Sequence, residues 1–211
     1  MTAQMITPPL VTDLAIPNPS QNIHDHRDQN LHKFTTEQYQ LLYEKGVFAP
    51  TDRYELINGE IRKMSPIGIK HAVCVARLTK TFERKLGDHV IIWAQNPIIL
   101  NDHSQPQPDI VLLKWQDDFY ANGLPTPADI LLIIEVADST IAYDREIKTA
   151  LYATSEIPEM WLFDLNQQSI TGTGYTQPSD AGYKRIQRYE AGDTLSLLAF
   201  PEVLFNWQEL L

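Results

Sequence analysis

Two carboxylates in this chain stand where apolar sequence should continue. Glu135 sits near the end of the run Ile130-Leu-Leu-Ile-Ile-Glu135-Val-Ala137, and Asp109 follows Pro108 and opens Asp109-Ile-Val-Leu-Leu113. An acid in such a segment costs several kcal/mol unless a metal, a cation or a proton compensates it. If the two segments are neighbouring strands, both acids come to one sheet edge, and paired carboxylates bind a hard divalent cation well. Asp144, Lys148 and Tyr152 recur at i, i+4 and i+8, which places them on one helix face. A lysine held beside such an ion can orient an attacking water and stabilise charge as it reaches phosphorus. Asp109, Glu135 and Lys148 are therefore the candidate catalytic residues, with Asp109 and Glu135 as metal ligands. Each has a plainer alternative: a structural Glu135–Lys148 pair, an Asp109 that accepts loop amides, an exposed Asp144–Lys148 helix pair.

The elements that must position them are legible in the pattern. Thr35, with Gln38 three residues on, forms a capping box for a helix that ends near Lys45, and Gly46 is the stop. Asn58-Gly59 between alternating runs is a strong hairpin signal within Tyr54 to Met64. His71, Val75, Leu78, Phe82 and Leu86 form one stripe of a helix over about residues 67–86. Strands are expected from Val90 to Trp93 with an extension to Leu100, from Asp109 to Leu113, and from Ile130 to Val136. The last is apolar enough to be covered on both faces. A second long helix is expected from Tyr143 to Ser155, with Ile147, Ala150, Leu151 and Thr154 inward. Strands come next at Glu159 to Leu165, Ile170 to Tyr175 and Tyr183 to Tyr189. The fold class is mixed α/β, a central mixed sheet flanked by helices, with an N-terminal hairpin and extra C-terminal strands.

Pro108-Asp109 followed by Glu135-Val-Ala137 resembles the PD-(D/E)xK nuclease superfamily. The longer series is Tyr54-Glu-Leu-Ile-Asn-Gly-Glu60, Met64-Ser-Pro with His71, Pro108-Asp109, Glu135-Val-Ala-Asp-Ser139, Asp144 with Lys148 and Tyr152, then Pro158-Glu-Met-Trp161. In order and spacing it resembles the Uma-type restriction-endonuclease family, formerly a domain of unknown function, over about residues 34–190. The resemblance implies a restriction-endonuclease-like αβββαβ core, a Mg2+ (or Mn2+) ion on Asp109 and Glu135, DNA as substrate and a homodimer. It also implies a further acid from the N-terminal part, for which Glu55 and Glu60 both qualify. The usual motif carries Lys two residues after the Glu. Position 137 is Ala here, so Lys148 would serve from the helix.

The totals set bounds. With 211 residues, 43% hydrophobic and 21% charged, the chain fits one globular domain, expected over 31–211. Residues 1–30 hold Pro8, Pro9, Pro17 and Pro19 and no apolar period, and read as a flexible arm. His24, His26 and His32 near its end read as solvated. No secretory signal and no membrane span is expected, and a single cysteine, Cys74, excludes an internal disulfide and reads as inert; a cytoplasmic location is the default. The net charge of −10 argues against a general nucleic-acid coat. Together with Ala137 it favours the rival reading, a non-catalytic nuclease-fold protein acting in binding or assembly. No basic patch stands out. A glycosidase with paired acids lacks an aromatic-rich sugar-binding pattern. His71 is either a hydrogen-bonded core histidine or a phosphate or supporting contact, and Tyr152 a packing residue or a supporting one. Trp93, Trp115, Trp161 and Trp207 read as core or interface residues. Gly172 and Gly174 form no phosphate loop.

Overall fold

In a computed structural model, residues 31–49, 51–138, 141–166 and 170–210 are described. The chain forms two units, Met1–His32 and Lys33–Leu211. Of the first only residues 31 and 32 are described, both exposed. The expected arm over 1–30, with His24 and His26, lies outside the described residues. The second unit contains every helix and strand described below.

Helix α1 (Thr36–Glu44) starts as its sequence dictates. The Gln38 amide donates to Thr35 Oγ1, and Gln38 Oε1 accepts the Thr35 N–H. Strands β1 (Tyr54–Ile57) and β2 (Glu60–Lys63) form an antiparallel hairpin. Its two turn residues, Asn58 and Gly59, have φ of 51° and 79°, the left-handed values a two-residue hairpin turn requires. Helix α2 (Ile69–Leu86) comes next.

A six-stranded sheet then forms in the order β3-β4-β5-β6-β7-β8. Its strands are β3 (Val90–Ala94), β4 (Ile110–Lys114), β5 (Ile130–Ala137), β6 (Glu159–Asp164), β7 (Thr171–Thr176) and β8 (Arg185–Tyr189). Only β5 and β6 run parallel. Between them the chain makes α3 (Ile141–Tyr143), a π-helical turn (Asp144–Lys148) and α4 (Thr149–Thr154). This is a central mixed sheet flanked by helices, with the hairpin ahead of it. Residues 95–100 lie outside β3, so the expected extension to Leu100 is loop. Among the described residues, no helix is long and apolar enough to cross a membrane.

Strand alternation sorts the core into two layers. Ile110, Leu112, Leu132, Ile134 and Val136 pack with Val75, Leu78, Phe82 and Leu86 of α2. Val111, Leu113 and Ile133 pack on the other side with Leu151, Tyr152 and Ala153 of α4 and with Ile57 of the hairpin. The α2 stripe is thus inward as the spacing predicts, except that His71 lies at its rim.

The C-terminal segment carries no strong sequence signal and proves structural. Strands β9 (Thr194–Leu197) and β10 (Phe200–Asn206) and the short α5 (Trp207–Leu210) bring Leu195, Phe205 and Trp207 onto the α2 side of the core. Trp207 stacks on Phe163 with ring centroids 5.5 Å apart. A Cβ on Gly172 would stand 2.6 Å from the Trp207 ring, so this glycine makes room for the tryptophan. Gly172→Ala should therefore destabilise the fold by about 1–3 kcal/mol, as overpacking does, and urea unfolding reads it. Trp161 is buried as expected, but Trp115 is exposed, in edge contact with Phe119.

Candidate active site

The antiparallel register of β4 and β5 pairs Ile110 with Ile134, so it brings Asp109 opposite Glu135. Both have the parity of Val111 and Ile133 and face the α4 side. Their segments are linked directly: the Val136 N–H donates to Asp109 Oδ2 at 2.9 Å. Glu55 has the parity of Ile57 on β1 and points at the same place. Lys148 arrives from above, out of the π-turn. Glu55, Glu135 and Lys148 are 5%, 3% and 4% exposed, and Asp109 8%.

Lys148 Nζ lies 3.2 Å from Glu55 Oε2, 3.2 Å from Glu135 Oε1 and 3.9 Å from Asp144 Oδ1. Tyr152 donates its hydroxyl to the same Glu135 oxygen at 2.6 Å. Among the described residues Glu135 Oε2 accepts no hydrogen bond. His71 Nε2 is 2.9 Å from Asp109 Oδ1, while its Nδ1 is buried without a partner among the described residues. The Gln107 N–H points at Glu55 Oε2 at 3.5 Å.

The expected inward stripe of the second long helix is corrected by the structure. Ile147, Ala150 and Thr154 are exposed, and Asp144, Lys148, Leu151 and Tyr152 are buried. The reason is the π-turn. The Thr149 N–H bonds the Asp144 carbonyl five residues back, which rotates the following residues relative to a regular helix. The turn aims Asp144, Lys148 and Tyr152 at the sheet edge instead of the apolar stripe. Glu60 is the second correction. It pairs in register with Ile57 at the turn end of the hairpin, and its carboxylate lies at the surface between Lys33 and Arg62, away from this cluster.

The electrostatics assign unequal roles. Burial works against the Lys148 charge, but Glu135, Glu55, Asp144 and Asp109 outweigh it and hold the ammonium above the ordinary lysine range. Lys148 is a fixed cation. Burial pushes the Glu135 carboxyl up, and Lys148 offsets only part of that. Burial and the Glu135 charge push the Tyr152 hydroxyl well up, so it remains a neutral donor. Cys74 is buried in the core, and burial pushes its thiol up to about 12, so it is inert.

Glu55, His71, Asp109, Glu135, Asp144 and Lys148 wall a cavity of about 300 Å3 that also exposes Asp138, Tyr143 and three cations, Arg53, Arg62 and Lys63. No basic patch stands out in the sequence enough to say which bases are read, and the fold gathers these three cations at the cavity. Arg53 could have been found, since it lies two residues before Glu55 on the same strand parity. Tyr143 carried no signal, because the π-turn hides its phase.

Whether this donor set suits a divalent cation turns on the kind of cation. Among the described residues no group of three or more His, Cys, Asp or Glu side chains gathers to hold one. Mg2+ does not demand such a cage: it keeps several waters and uses one or two carboxylates plus substrate phosphate. Asp109 and Glu135 supply hard oxygens at one cavity wall, and Glu135 Oε2 is unengaged, so the residues fit an ion of that kind.

Comparison with known proteins agrees with this architecture. No functionally curated protein matches the chain. Among solved structures, one from Anabaena variabilis, described as "a putative nuclease belonging to DUF820", superposes with a TM-score of 0.63. It shares 15% identity and covers 84% of this chain and 97% of its own, a likeness of fold. The sequence family Uma2, described as "Putative restriction endonuclease", matches residues 36–208. On a match that takes in the hairpin, both helices over the sheet and all four clustered residues, the chain belongs to the Uma2 restriction-endonuclease family.

Proposed function

We propose that this protein is a metal-dependent endonuclease that hydrolyses DNA phosphodiester bonds, a PD-(D/E)xK-type enzyme whose lysine has moved to the helix. The observation that carries the reading is the Lys148 ammonium, 3.2 Å from Glu135 and 3.2 Å from Glu55, in the wall of a cavity shared with Asp109. Asp109 and Glu135 would hold Mg2+ or Mn2+, with Glu55 assisting. The ion, when bound, polarises the phosphodiester and offsets charge on the leaving oxygen.

The chain's own residues do the rest. His71 and the Val136 amide fix the Asp109 carboxylate, and Tyr152 fixes Glu135. Pre-set carboxylates need no reorganisation when substrate arrives. Lys148 is too firmly protonated to serve as a base. It acts as a donor that orients the attacking water and stabilises the charge that builds on the phosphoryl oxygens. A homodimer would supply one such site per DNA strand, and a cytoplasmic setting suits the substrate.

The competing reading is a non-catalytic nuclease fold used for binding or assembly. It is favoured by Ala137 and by the engagement of Lys148 with three carboxylates. Incubation with supercoiled plasmid separates the two. Mg2+ or Mn2+ should produce nicked plasmid, with linear product at once if a homodimer cuts both strands, and a chelator should stop it. No cutting by the purified wild type with either ion would overturn the enzyme reading.

A further inference from the structure

We propose that Arg53, Arg62 and Tyr143 form an anion subsite at the cavity mouth that binds a backbone phosphate of the nucleic acid; the proposal rests on the nuclease reading of the same cavity.

The cavity floor is acidic, with Glu55, Asp109, Glu135 and Asp144 set against Lys148 and His71. The chain as a whole carries −10. A polyanion can approach such a floor only if cations stand at the entrance, because close charges dominate over distant ones screened by salt. The hairpin and the residue before it provide them. Arg53 lines the cavity, and its guanidinium has no ion pair or hydrogen bond among the described residues. Arg62 shares Glu60 with Lys33, so two cations face one carboxylate and its charge is incompletely offset. Lys63, by contrast, is occupied by Asp52 at 2.9 Å.

Tyr143 supplies an independent observation. Its hydroxyl is buried and has no hydrogen-bond partner among the described residues, yet the residue lines the same cavity. Burying a hydroxyl unpaired is disfavoured, and polar groups left so commonly await a ligand. The Arg62 guanidinium lies over the Tyr143 ring, 5.0 Å from its centroid, which fixes the two groups relative to each other. A guanidinium with donors in a fixed plane, a second unpaired guanidinium and a hydroxyl donor together match the oxygens of a phosphodiester.

The test uses the full chain carrying Glu135→Gln, which keeps substrate intact, and a short fluorescein-labelled DNA duplex read by anisotropy over a salt series. Adding Tyr143→Phe should weaken binding about 10- to 100-fold, the effect of one lost hydrogen bond to a charged oxygen, with the salt slope unchanged because no charge is removed. Adding Arg53→Gln should weaken binding and reduce the slope of log affinity against log salt by about one. Both variants should keep the parent's urea midpoint. If wild type cuts plasmid but both variants bind within about twofold of the parent, the subsite is wrong and the nuclease reading stands. If wild type does not cut and the parent does not bind DNA, the nuclease reading fails, and calorimetric titration of wild type with inorganic phosphate decides the subsite. Phosphate binding abolished by Arg53→Gln supports it; no phosphate binding overturns it.

Discussion

Lys148→Met should lower the unfolding free energy by about 3–5 kcal/mol near pH 8, the cost of removing one partner from a buried ionic cluster. Methionine fills the space of the lysine stem but leaves Glu135 and Glu55 buried with no ammonium 3.2 Å away. The loss should depend on pH with a definite sign. Without Lys148 the Glu135 carboxyl, which burial already raises, has a folded-state pKa still further above its unfolded one. Its native form then prefers the proton, so stability is greatest at low pH and is lost as pH rises through the folded value. Urea unfolding of wild type and variant at pH 5 and pH 8 reads this. A loss of the same small size at both would show that the cluster is not coupled through burial. Glu135→Gln added to Lys148→Met should restore part of the stability, since it removes one of the stranded charges. Nuclease activity should disappear in Lys148→Met even under conditions where it remains folded.

Glu135→Gln should reduce cleavage by about 10²–10³-fold or more while leaving the fold intact, the scale on which removal of one key electrostatic group acts. Glutamine preserves shape and can still accept from Tyr152, but it is a poor ligand for a hard cation. Stability should move the other way from activity. Burial raises the Glu135 carboxyl, so in wild type the ionised form becomes a growing penalty as pH climbs above the ordinary carboxylate range. Relative to wild type, the glutamine variant should gain stability between pH 5 and pH 8. The same raised carboxyl predicts that wild-type cleavage, at metal concentrations below saturation, increases with pH through the neutral range instead of levelling off near the usual carboxylate value. A rate independent of pH from about 5.5 to 8 would show that Glu135 ionisation does not limit the reaction.

The acids illustrate how far local signals reach. Glu135 and Glu159 both lie in nearly continuous apolar strands, and both are buried. Only one belongs to the cavity. Glu159 accepts the Trp161 indole N–H and the Leu198 amide, each at 2.8 Å, and so tethers the turn before β10 to the sheet. Burial raises its carboxyl as well. A buried acid in a strand therefore announces that something compensates it, but not what. The hairpin gives a second case. Asn58-Gly59 dictates the turn and the pairing of Glu55 with Arg62, yet either acid on it could have reached the cluster. The face of the hairpin laid on Ile98, Val111 and Ile133 decides for Glu55, and Glu60 is left at the surface.

The sequence by itself determined the capped start of α1, the Asn58-Gly59 turn, the α2 stripe, and the strands that bear Asp109 and Glu135. Each depends on chemistry within a few residues or on a period of two or about 3.6, which the chain displays without reference to the rest of the fold. The tertiary structure alone decided that Lys148 turns inward. Its helix carries Ile147 and Ala150 on one side and Asp144, Lys148 and Tyr152 on another. By apolar periodicity the first side should be buried. The π-turn and the compensation offered by Glu55 and Glu135 reverse this, and neither can be read from residues 141–154 alone. The same holds for His71 on Asp109, for Tyr143 at the cavity mouth, and for the C-terminal strands that cover α2. All of these are pairings between distant segments, set by which faces the packed core leaves facing one another.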